Sequence, residues 1–115
     1  MKTAVFFISL FLCLSFIGCD SCDGENPSVQ LVNNGTGKAD IQIKTSVGNT
    51  ENMNNIQPGT SSDRRTFARG DIEFTISIQG VPDDIVYVLH TDFCNDYTVT
   101  INSDNSVTSS GSKRD

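Results

Sequence analysis

Asp71-Ile72-Glu73-Phe74-Thr75-Ile76-Ser77-Ile78-Gln79 alternates apolar and polar side chains without a break. Successive side chains of an extended chain point to opposite faces, so Ile72, Phe74, Ile76 and Ile78 share one side and Glu73, Thr75, Ser77 and Gln79 the other. That period of two predicts a β-strand with one buried and one solvated face. Tyr97, Val99 and Ile101 alternate with Thr98, Thr100 and Asn102 in the same manner, and Ile41 and Ile43 with Gln42 and Lys44. Ile85–Leu89 is apolar on both faces and reads as a central strand. Val29–Val32 and Arg65–Ala68 are weaker candidates, and Val107 is a short last one.

The segments between these strands carry turn chemistry. Asn33-Asn34-Gly35-Thr36-Gly37 supplies residues that tolerate positive φ, Gly80-Val81-Pro82-Asp83-Asp84 can close a hairpin between Asp71–Gln79 and Ile85–Leu89, and Ser103-Asp104-Asn105 can close another. No helical period longer than two turns appears. Short alternating strands joined by turns predict an all-β chain, a small antiparallel β-sandwich of about six to seven strands. The ordered domain is expected over residues 29–108. Residues 109–115 are Ser, Gly and charge and read as a disordered tail, and residues 19–28 read as a tether without apolar period.

The composition excludes several functions. A chain of 115 residues holds one domain. Its formal charge of −6 argues against nucleic acid as a partner, because that affinity rests on clustered Lys and Arg. A single His removes most His-based catalytic and metal sites.

The chain start has its own character. Lys2 precedes a run without charge from Ala4 to Gly18, rich in Phe, Leu and Ile. At ~1.5 Å per residue that run makes roughly 22 Å of helix, short of the ~30 Å hydrocarbon core. A positive start, an apolar run of this length and a small residue at its end describe a signal peptide, residues 1–18. Phe16-Ile17-Gly18-Cys19 resembles the lipobox of bacterial lipoproteins, with Phe16 where the family usually has Leu. The resemblance implies cleavage between Gly18 and Cys19, lipidation of the Cys19 sulfur, and a lipid-anchored protein of the cell envelope, at the outer membrane or cell surface. Multiple acyl chains make such an anchor durable. The alternative is plain secretion, but Phe16 and Gly18 together do not make the pair of small residues, one and three positions before a cut, that ordinary signal cleavage prefers. Loss of residues 1–18 takes away Lys2 and moves the formal charge from −6 to −7.

Leu31–Ile43 followed by Ile56-Gln57-Pro58-Gly59 resembles the opening strands of immunoglobulin-like bacterial domains over about 30 residues. The pattern is structural and transfers no active site.

Cys22 and Cys94 remain once Cys13 leaves with the signal and Cys19 carries lipid. In an exported chain they invite a disulfide, with two free thiols as the alternative. His90, Asp92 and Cys94 alternate, but along a strand His90 and Cys94 lie about 13 Å apart, too far for one metal or a nucleophile pair. No metal site and no cofactor is therefore expected. Arg69-Gly70-Asp71 resembles the tripeptide of integrin ligands, and Asn34-Gly35-Thr36 fits the glycosylation acceptor pattern. Asp20, Asp23 and Glu25 read as a solvated linker, or as a sorting signal beside the lipidated residue. No nucleophile–base pair or phosphate loop is visible, which argues against an enzyme. The expectation is a small membrane-anchored lipoprotein whose β-domain has a binding or structural role, its partner an envelope protein or a glycan. The rival is a soluble secreted sandwich acting as an effector, inhibitor or adhesin-like module.

Overall fold

The computed structural model describes residues 22–114. The expected signal peptide over residues 1–18 and the expected cleavage and lipidation position at Gly18 and Cys19 lie outside the described residues. Nine strands follow in order: β1 Ser28–Asn33, β2 Ala39–Lys44, β3 Thr50–Ile56, β4 Thr60–Ser61, β5 Arg65–Thr66, β6 Gly70–Ile78, β7 Ile85–Thr91, β8 Asn95–Ile101 and β9 Val107–Lys113. They form two sheets. One runs β4-β1-β8-β9, with β5 also paired to β1, and the other runs β3-β2-β6-β7.

The sheets pack face to face as a β-sandwich. Ile72, Phe74, Ile76 and Ile78 of β6 are buried, as their period of two requires, and they meet Leu31, Val99 and Ile101 in one core. Ile41 and Ile43 join from β2 and Phe67 from the segment before β6. Each such side chain contributes roughly 1.5–3 kcal/mol when fully buried. This single core sets the sandwich expected from the alternating strands.

The connections have their own order. In the immunoglobulin constant type the first two strands share a sheet. Here β1 and β2 lie in opposite sheets, and β1 pairs with β8 in parallel, Ser28 beside Asp96 through Asn33 beside Ile101. The likeness to immunoglobulin domains thus lies in the layers and not in the strand order, and one pair departs from the expected antiparallel pattern.

One of the longer strands was not expected, and two expectations about the strands are corrected. Thr50–Ile56 is a strand although its sequence is polar, because only Met53 and Ile56 reach the core. Ala39 faces Ile56 while Ile41 faces Met53, so a bulge at Asn54–Asn55, with Asn55 at φ 62°, stretches the apolar spacing from two to three. Ile85–Leu89 lies at an edge and not in the centre, since β7 pairs with β6 alone. Residues 109–113 are not a disordered tail: they complete β9, paired with β8 from Val107 opposite Ile101 to Lys113 opposite Asn95. A backbone ladder orders this strand without apolar side chains to announce it.

The strand directions give the sandwich two distinct poles. The N-terminal segment, the end of β9 and the loops 45–49, 67–69 and 92–94 gather at one, the tether pole. The loops 34–38, 57–59, 79–84 and 102–106 gather at the other. Buried Asn33 ties that far pole together. Its Nδ2 donates to the carbonyls of Gly37 (2.9 Å) and Ile56 (2.8 Å), and its Oδ1 accepts from the Gly35 N–H.

Candidate functional site

Of the residues that sequence reasoning singled out, Cys22, His90, Asp92, Cys94 and Arg69–Asp71 lie at the tether pole. Cys22 and Cys94 form a disulfide, with their Cα atoms 5.7 Å apart. The backbone around the bridge is also tied down. The Cys94 N–H donates to the Glu25 carbonyl at 2.9 Å, and the Cys94 carbonyl accepts from the Arg114 N–H at 2.7 Å. The Phe67 N–H donates to the carbonyl of buried Pro27 at 3.1 Å. Residues 22–27 are therefore part of the domain, and the expected tether shortens to what precedes Cys22.

Arg114 joins three segments at this pole. Its guanidinium donates to Asp96 Oδ1 at 2.6 Å from β8 and to Glu25 Oε1 at 2.9 Å from the N-terminal segment. Ser28 Oγ donates to the same Asp96 oxygen at 2.6 Å. The Arg114 guanidinium first, and the Ser28 hydroxyl next, hold the Asp96 carboxyl below its ordinary range. Neither Asp96 nor Arg114 stood out in the sequence, because the pair is made only when β9 closes on β8.

Arg69, Gly70 and Asp71 are each engaged within the fold. The Arg69 guanidinium lies 4.9 Å from the centre of the Phe93 ring. Gly70 has φ 124°, and a Cβ there would meet Ser46 Cβ at 2.8 Å, so this position demands glycine. Asp71 opposes His90 across the β6–β7 ladder, and Asp71 Oδ1 lies 2.5 Å from His90 Nδ1. The tripeptide is the entry to a strand rather than the tip of a free loop. Ser46 Oγ donates to the Arg69 carbonyl at 2.7 Å, which draws the 45–49 loop onto the same cluster.

The alternating His90, Asp92 and Cys94 are not brought together as a ligand set. The strand ends at Thr91, Cys94 is held in the disulfide and His90 faces Asp71. Among the described residues no group of three or more His, Cys, Asp or Glu side chains is placed to hold a metal ion. At the far pole, Asn34 of the acceptor-like Asn34-Gly35-Thr36 is exposed, while Thr36 exchanges hydrogen bonds with Asn105.

The β7 edge is a second surface with unusual character. Val86 and Val88 are 58% and 44% exposed on its outer face. The other edges carry features that discourage strand addition. β3 has the Asn55 bulge, β4 and β5 are separate two-residue pieces, and β9 carries Gly111 and Lys113. β7 has seven consecutive residues with no Gly, Pro, Asp, Glu, Lys or Arg. Its IVYVL run was legible in the sequence, but apolar character on both faces does not distinguish a covered strand from an edge strand that awaits cover. On the opposite flank, a shallow depression of about 300 Å³ is lined by polar groups including Asn52, Asn54, Ser62 and Arg65.

The sequence matches no protein-family model and no curated protein.

Proposed function

We propose that this chain is a small lipoprotein of the bacterial cell envelope, anchored through Cys19, whose β-sandwich serves as a binding module rather than an enzyme. The observation that carries the reading is the disulfide between Cys22 and Cys94. It fits an oxidising, exported compartment. It also fixes the start of the domain three residues after the cysteine of the lipobox-like Phe16-Ile17-Gly18-Cys19. Export signal, acylation site and stapled domain follow one another without a gap.

The unprotected β7 edge is the binding surface in this reading, and an extended segment of another envelope polypeptide is its occupant. Such a segment adds main-chain hydrogen bonds along the strand and seats side chains beside Val86 and Val88.

Two measurements test the reading. Cells expressing the full chain are given a labelled fatty acid: label on the protein, lost in Cys19→Ala, is expected, and an unlabelled protein released into the medium overturns the anchor. A photo-crosslinking amino acid at Val88 is expected to trap a discrete envelope polypeptide, whereas the same residue at Thr100 is not. Equal trapping at both positions, or none at Val88, overturns the β7 surface.

A further inference from the structure

The described residues expose four large apolar side chains: Val47, Val86, Val88 and Phe93. Two belong to the β7 edge. The other two, Val47 at 66% and Phe93 at 41%, stand on loops of the tether pole. Contacts join those loops to the chain's point of entry. Ser46 bonds to the Arg69 carbonyl, Arg69 lies over Phe93, and Phe93 precedes Cys94, which is bridged to Cys22.

We infer that the tether pole rests on the bilayer surface, with Phe93 and Val47 entering the headgroup and upper acyl region and Arg69 held beside them at the phosphates. The inference rests on Cys19 as the anchor. Three residue steps from Cys19 to Cys22 span at most about 11 Å. Without the disulfide the first tie to the domain would be at Glu25, three residues farther along the chain, and the domain would have more room to turn. With it, the pole that carries Cys22 is the one the lipid holds against the membrane.

Three side chains of the pole suit that contact, against the exposed carboxylates of Asp23, Glu25 and Asp92 around them. Phe93 and Val47 bring apolar area to the interface, and Arg69 can bury its stem while its guanidinium stays with polar headgroups. The ring beneath Arg69 holds that guanidinium in place. The mature charge of −7 works against spontaneous adsorption to anionic lipid, so the contact depends on the anchor.

The sequence contains no Trp, so a single introduced Trp reports its own surroundings. The mature chain, residues 19–115, includes every described residue and has one free thiol at Cys19 when Cys22 and Cys94 are oxidised. Coupling that thiol to a maleimide phospholipid in phosphatidylcholine vesicles imposes the anchor chemically. Vesicles with and without brominated acyl chains then measure contact. Phe93→Trp and Val47→Trp are expected to lose at least half their emission to brominated lipid, and Ser103→Trp at the far pole to keep it. Circular dichroism checks that each variant is folded. Unquenched emission at either loop position, or equal quenching at Ser103, overturns the inference. The result does not depend on whether cells acylate Cys19, which the fatty-acid experiment decides separately.

Discussion

Reduction of the Cys22–Cys94 bridge is expected to cost the domain much of its stability while leaving its fold intact. The two cysteines are 72 positions apart, so the bridge closes most of the domain into one loop. In the chain-entropy account a loop of that length restricts the unfolded chain by about 4 kcal/mol. Domains of this size are stable by only ~5–15 kcal/mol, so the bridge is a large share of the total. The folded state has other ties at the same place: Cys94 N–H to the Glu25 carbonyl, Arg114 to Glu25, and Phe67 N–H to the Pro27 carbonyl. Reduction therefore acts chiefly on the unfolded chain. With a urea slope near 2 kcal/mol per molar, the unfolding midpoint should fall by ~2 M. The assay is urea unfolding of residues 19–115 followed by far-ultraviolet circular dichroism, oxidised and in excess reductant, with thiol content measured in parallel. Coincident curves for the two forms, with the bridge verified in one and absent in the other, would refute the reasoning.

Three further outcomes follow from particular contacts. Asn33→Ala removes donors to the Gly37 and Ile56 carbonyls inside the far pole and should cost about 2–4 kcal/mol, read as a fall in Tm of roughly 10–25 °C by calorimetry. Gly37→Ala places a Cβ 2.3 Å from the backbone oxygen of Gln79, so the β1–β2 turn must shift, and a loss of about 1–3 kcal/mol is expected from chemical denaturation. The Asp96 carboxyl is held below its ordinary range by Arg114 and Ser28, so its contribution is full above the unfolded value near pH 4 and is lost as pH falls through the folded value. Tm measured between pH 5 and 2 should therefore fall less steeply for Asp96→Asn than for the natural chain, by a modest amount because Asp96 is partly exposed and solvent screens the pair.

The legible parts of the fold are those where one side chain in two meets the core. In β6, Ile72, Phe74, Ile76 and Ile78 announce both the strand and its buried face, and Val99 and Ile101 do the same for β8. β3 was hidden because its bulge moves Met53 and Ile56 to a spacing of three, which no strand pattern contains. β9 was hidden because its order comes from its ladder to β8 and from Arg114, neither of which leaves a hydrophobic pattern. The edge position of β7 was hidden for a different reason. Strand order is a property of the whole chain, and IVYVL carries the same local signal whether or not a neighbour covers it. At the candidate site, the pairing of Cys22 and Cys94 followed from counting the cysteines left over when the chain is read as exported. The clustering of Ser46, Arg69 and Phe93 came from three loops that are far apart in sequence.

The two proposed surfaces constrain each other. With Cys19 as the anchor, the tether pole faces lipid and the strands run away from it, so a seven-residue strand carries its far end about 20 Å outward. Arg69, Gly70 and Asp71 then lie on the lipid side, where a soluble receptor has poor access, and Arg69 is better suited to headgroup phosphate. β7 begins at Ile85 near the far pole and ends at Thr91 beside the membrane, so its open edge stands upright along the flank of the domain. A partner strand meets Val86 and Val88 from the side, which leaves the contact at the bilayer undisturbed. Phe93 lies two residues beyond the end of that edge. Both surfaces can therefore be occupied at once, and a partner anchored in the same membrane reaches the β7 edge with its own chain rising from the bilayer alongside it. For such a partner, anchoring confines both molecules to one plane and raises their effective concentration, so even a short added strand can hold them together.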